Sequence, residues 1–191
     1  LEKLLKISIE KNKDYQPLVV TESVFSMEGT SPSIKDLISL CSSFKARLFV
    51  DEAHALGVMG LEGKGLFFRM KSPLVMISGT FGKAFGSGGA FLATNKLIGE
   101  ELIQTSGPLK YTTSLAPALA AASLAALELI KTNSQWGLEL KEEAKIWRKK
   151  ITLKGWSKPL GSSPIIPLII GSDEYALKKQ KQLEQDGLLA V

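Results

Sequence analysis

The sequence predicts an α/β fold with a largely parallel sheet, and three observations carry that expectation. Short apolar runs of strand length recur along the chain: PLVVTESV, RLFV, LVMISG and AFLAT. Stretches with helical spacing separate several of them, the alternation that parallel strands with crossover helices produce. Polar or glycine-rich loops follow the runs, and in such sheets ligands bind beyond the carboxyl ends of the strands.

The elements follow in order. Leu1, Leu4, Leu5 and Ile9 have helical spacing, so a helix opens the chain. Residues 17–24 read as a strand and 25–32 as a turn-rich loop. Ser33 with Asp36 resembles a capping box, and Leu37, Ile38 and Leu40 continue a helix to about Phe44. RLFV is the short apolar strand of a buried parallel sheet and ends at Asp51. The loop HALGVMGLEGKG, the strand LVMISG, the loop TFGKAFGSGG and the strand AFLAT come next. Helices are expected over 96–105, over 117–131 as an Ala- and Leu-rich buried helix, and over 137–150 as a charged amphipathic one. Near Trp156 the character changes. KPLGSSP reads as a linker, IIPLII as a strand, 173–185 as a polar helix and the last residues, to Val191, as a strand. These features divide the chain into residues 1–155, part of a large domain, and 156–191, the start of a small α+β one, with the boundary near 155–163.

Composition is that of a globular protein: 45% apolar and 23% charged over 191 residues. The single cysteine, Cys41, excludes an internal disulfide and suits a reducing, cytoplasmic setting. It lies among Leu37, Ile38 and Phe44, a core position. No apolar run approaches a membrane span and no signal peptide is visible. The net charge of +5 comes from lysines spread over polar helix faces, such as Lys141, Lys145 and Lys149, which read as solvated faces and not as a nucleic-acid surface. With no initiator Met and apolar patterning running to both ends, the chain reads as a piece of a longer protein.

Three clusters can do chemistry, each after an apolar run: Ser26, Asp51 with His54, and Thr80 with Lys83. Neighbouring strands would bring all three to one sheet edge. Lys83 lies between two apolar strands, amid Gly79, Gly82, Gly86, Gly88 and Gly89. A loop lysine is commonly solvated and inert. Partial desolvation, expected here, would depress its pKa and make the amine a nucleophile fit for imine formation. The glycines would let the backbone approach a phosphate, with Thr80 offering a hydroxyl. Asp51 could be a helix cap, a metal ligand or a base; beside a pyridine ring it would hold the proton on the nitrogen. His54, the one histidine, is either structural or a hydrogen-bond partner of the same ligand.

Four stretches in one order, VTESVFSMEGTSPSIKDL, LFVDEAHALGVMGLEGKGL, ISGTFGKAFGSGGA and YTTSLAPA, resemble the α-oxoamine synthases, fold-type-I pyridoxal-phosphate (PLP) enzymes. DEAH-x-x-G followed about thirty residues later by TFGK is the specific combination. The resemblance runs over essentially the whole chain. It implies that Lys83 holds the cofactor covalently, that Asp51 sits under the pyridine nitrogen, and that His54 and Ser26 contact the phenolic oxygen. It also implies that Thr80 contacts the phosphate, and that Thr112 or Thr113 reaches a phosphate across a homodimer interface. Such enzymes condense an amino acid with an acyl thioester, on coenzyme A or a carrier protein, and lose carbon dioxide. The TTS-L-A-P stretch and the small residues around FGSGGAF are most similar to members joining L-alanine to a pimeloyl thioester. Glycine C-acetyltransferases and serine palmitoyltransferases share the core motifs. Family members are about twice as long. Their N-terminal part supplies a ring-stacking histidine and a glycine-rich phosphate turn, and a carboxylate-binding arginine follows the point where Val191 stands.

Two other readings compete. DEAH with Ser78-Gly79-Thr80 some thirty residues on matches a DEAH-box helicase, but its arginine-rich motif is missing downstream and Phe-Gly-Lys has no use there. An inactive relative, or a binding fragment, is the second.

Overall fold

The computed structural model describes residues 1–190. Four strands form one sheet in the order β1-β2-β3-β4: β1 (Leu18–Glu22), β2 (Arg47–Asp51), β3 (Leu74–Thr80) and β4 (Ala90–Thr94). The first three run parallel, and β4 is antiparallel to β3. Connection length explains the difference. A parallel neighbour needs a crossover of a dozen residues or more. Residues 23–46 and 52–73 supply one each, whereas the short loop 81–89 permits only a reversal.

Helices α1 (Glu2–Lys11) and α2 (Ile34–Ser43) flank the first strands. Leu37 and Cys41, one turn apart on α2, are buried and pack with Leu5, Val19, Leu48, Val50 and Phe67 in the main core. Cys41 is therefore a core residue, as its neighbours predicted. Leu48 and Val50 alternate inward along β2, and each such burial contributes about 1.5–3 kcal/mol. Val24, Ala55 and Met59 form a second cluster under the carboxyl ends of the strands, with Ile165 packed on it.

The remaining helices are α3 (Lys96–Thr105), α4 (Gly107–Lys110), α5 (Pro117–Thr132), α6 (Trp136–Leu153) and α7 (Asp173–Gln185). The bounds of α3 and α7 coincide with the sequence expectation. The short α4 was not foreseen.

Four expectations need correction. Ser33 stands at the N-cap of α2 but its side chain makes no capping bond. The Ala- and Leu-rich α5 is largely exposed, with Ser123 its one buried residue and Leu124 62% accessible; its apolar composition carries no single buried stripe. IIPLII pairs with no strand, and Ile169 is 71% exposed. The stretch leading to Ala190 is likewise unpaired, and Val191 lies outside the described residues. Strand formation needs a partner edge, which apolar composition alone does not supply. Among the described residues no helix is long and apolar enough to cross a membrane.

Candidate active site

The carboxyl ends of β1, β2 and β3 lie side by side, because Glu22 is in register with Asp51, and Asp51 with Ser78. Asp51 closes β2 half-buried. Its Oδ1 accepts the backbone N–H of Ala53 at 2.8 Å, and the Ser78 hydroxyl donates to its Oδ2. A carboxylate offers about four lone-pair sites, so two bonds leave capacity for a further donor.

His54 leaves the same strand end on a turn held by Ala55 and Leu56 N–H groups donating to the Glu52 carbonyl, each at 2.9 Å. The turn brings His54 Nε2 to 2.7 Å from Lys83 Nζ. Burial, and then the Lys83 ammonium, hold His54 below its ordinary value, while the carboxylates of Glu22 and Asp51 pull the other way. A neutral ring whose Nε2 accepts from the ammonium carries its proton on Nδ1.

Lys83 sits on the loop between β3 and β4. Phe81 N–H donates to Gly89 O at 2.9 Å, Ser87 N–H to Phe81 O at 2.8 Å and Gly86 N–H to Lys83 O at 2.9 Å. The turn requires left-handed backbone at Gly86 and Gly89, with φ of 57° and 94°. Thr80 lies at its start; its hydroxyl donates to Gly89 O at 3.2 Å and accepts the Gly82 N–H at 3.1 Å. The expected desolvation of Lys83 is not met. Its side chain is exposed, its amine meeting His54 Nε2.

Asp51, His54 and Lys83 are thus brought to one sheet edge. Ser26 is exposed on the turn after β1, its backbone N–H donating to Glu22 Oε2 at 3.1 Å. Thr112 and Thr113 stand apart: both are exposed, and the Thr112 hydroxyl bonds the Pro108 carbonyl of α4. Sequence reasoning missed Glu22, Ser78 and Glu52. For Glu22 and Ser78 the available signal was a polar residue at the end of an apolar run. For Glu52 it was a charged residue one step past Asp51, hence on the opposite face of the strand.

The profile of the family described as Aminotransferase class I and II matches residues 2–191. The chain belongs to that family. This sets aside the helicase reading of DEAH. An 8-amino-7-oxononanoate synthase of Methylobacillus flagellatus is 36% identical over 99% of this chain and 47% of its own length. One of Janthinobacterium sp. is 37% identical over 92% of this chain and 44% of its own. The chain therefore spans about half the length of the curated relatives it matches.

Among solved structures, an 8-amino-7-oxononanoate synthase from Francisella tularensis superimposes with a TM-score of 0.80 at 25% identity, over all of this chain and 56% of that one. A serine palmitoyltransferase from S. paucimobilis, solved with PLP–myriocin bound, gives 0.89 at 23% identity, over all of this chain and 51% of that one. The second likeness speaks for the fold, which is the fold-type-I transferase architecture.

Proposed function

We propose that this chain is the cofactor-binding part of a PLP-dependent α-oxoamine synthase that condenses L-alanine with a pimeloyl thioester. The observation that carries the reading is the Lys83 amine, 2.7 Å from His54, at the strand end where Asp51 sits. An amine, an imidazole, a carboxylate with free lone pairs and a hydroxyl at Ser26 match the polar groups of PLP, so the donor set fits the cofactor. The names of the relatives at 36–37% identity support the choice of substrates.

When bound, PLP supplies an electron sink for the substrate's α-carbon. The residues do the rest. Lys83 holds the cofactor through its amine, and later moves the α-proton. Asp51 keeps the proton on the ring nitrogen. His54 and Ser26 would hold the phenolic oxygen, and Thr80 would contact the phosphate, its hydroxyl proton turning from Gly89 O to do so. Thr112 or Thr113 of a second copy completes the phosphate site in a homodimer.

The test is direct. Protein loaded with PLP and reduced with borohydride should carry the label on the peptide containing Lys83, and Lys83→Ala should lose both the visible absorption and the label. Labelling at another lysine would reject the assignment. Asp51→Ala should keep the label and lose most turnover; wild-type turnover would reject its role.

A further inference from the structure

Glu52, the second residue of DEAH, faces away from the catalytic cluster and is 1% exposed. Its carboxylate has three donors. The Ser23 hydroxyl and the Leu66 N–H reach Oε2 at 2.6 and 3.1 Å, and the Phe67 N–H reaches Oε1 at 2.6 Å. Its own N–H donates to Ser78 O at 2.9 Å. One residue therefore ties together the chain just after β1, the end of β2, strand β3 and the far end of the glycine-rich loop. Phe67 is itself fully buried in the main core, so that far end is anchored.

The loop between is a closed body. Gly57 N–H donates to Gly63 O at 2.7 Å and Gly65 N–H to Met59 O at 3.0 Å, and Leu56 bridges to Lys64. Its neck is the Glu52 carboxylate. Gly65 presses against that neck: a Cβ there would lie 2.9 Å from the carboxylate carbon. His54 is the second residue inside the neck. An apolar side chain would fill the same space without directing two successive N–H groups and a hydroxyl, and direction is what a buried polar network adds.

We propose that Glu52 is a positioning residue: its buried carboxylate closes the loop that carries His54 and thereby holds the imidazole against the Lys83 amine. The arrangement needs no cofactor, so it stands apart from the proposed reaction.

The test uses the single histidine. Its imidazole resonances are titrated by NMR in the cofactor-free protein, with Lys83 present and as Lys83→Met. Loss of the ammonium should raise the His54 pKa; the carboxylates of Glu22 and Asp51 act on the ring in the opposite sense, and comparing each variant with its own Lys83→Met form cancels their contribution. In Glu52→Gln that rise should fall to less than half its wild-type size. Ser23→Ala keeps the carboxylate and both N–H bonds, so it should fold, and it should lose part of the rise. A full wild-type rise in folded Glu52→Gln, or in Ser23→Ala should Glu52→Gln not fold, would overturn the proposal. The signal is coupling between two side chains, which a general loss of stability leaves unchanged in the folded fraction.

Discussion

Gly79 and Gly82 lie three residues apart around the start of the Lys83 loop, and alanine should be costly at one and harmless at the other. Gly79 is buried in β3 opposite Phe91. A Cβ there would overlap Leu56 Cδ1 and stand 2.6 Å from the Phe91 ring, against an ordinary carbon contact of about 3.5–4.0 Å. Overpacking of this kind costs about 1–3 kcal/mol. The stiffer unfolded chain returns about 0.4–1 kcal/mol. Overlap with two side chains at once puts the cost at about 2–3 kcal/mol, so the net is a loss of about 1–2.6 kcal/mol, or roughly 2–10 °C in Tm for a chain of this length. The displaced Phe91 ring packs on Phe81 at 5.5 Å, and Phe81 on Phe85 at 5.4 Å, so the push passes into the loop that holds Lys83. At Gly82 a Cβ would meet Thr80 Oγ1 at 3.5 Å and Ser87 O at 3.9 Å, ordinary contacts on an exposed turn. With the same return from the stiffer unfolded chain and no clash against it, Gly82→Ala should range from neutral to about 1 kcal/mol stabilising. Urea unfolding followed by circular dichroism measures both. Equal effects for the two variants, or no loss for Gly79→Ala, would refute the reasoning.

Other outcomes follow from the same structure. Because His54 is held below its ordinary value, the unfolded chain binds that proton more readily. The associated stability is present above about pH 6.5 and is lost as pH falls from there through the folded value. The urea midpoint of wild type should drop over that window more than that of His54→Gln. Arg148→Met should cost about 2–4 kcal/mol in urea unfolding, since the buried guanidinium donates to the carbonyls of Ser163 at 2.6 Å and Ile165 at 2.5 Å and both would lose a charged partner. Leu48→Ala, at a fully buried position in the centre of the sheet, should cost about 2–5 kcal/mol by the same measurement.

The sequence by itself determined the order and kind of most elements, because alternation, helical spacing and glycine punctuation are local signals. It also led to the expectation that Asp51, His54 and Lys83 follow short apolar runs of strand length and meet at one sheet edge, and the structure places His54 against Lys83 at the strand end that Asp51 closes. Tertiary structure alone decided the rest. Only strand pairing set Glu22 beside Asp51 and left IIPLII without a partner, since a pair needs an edge contributed by distant residues. Only packing made Glu52 a buried clamp and left α5 and the Lys83 amine open to solvent, for burial depends on what the rest of the fold lays over a residue.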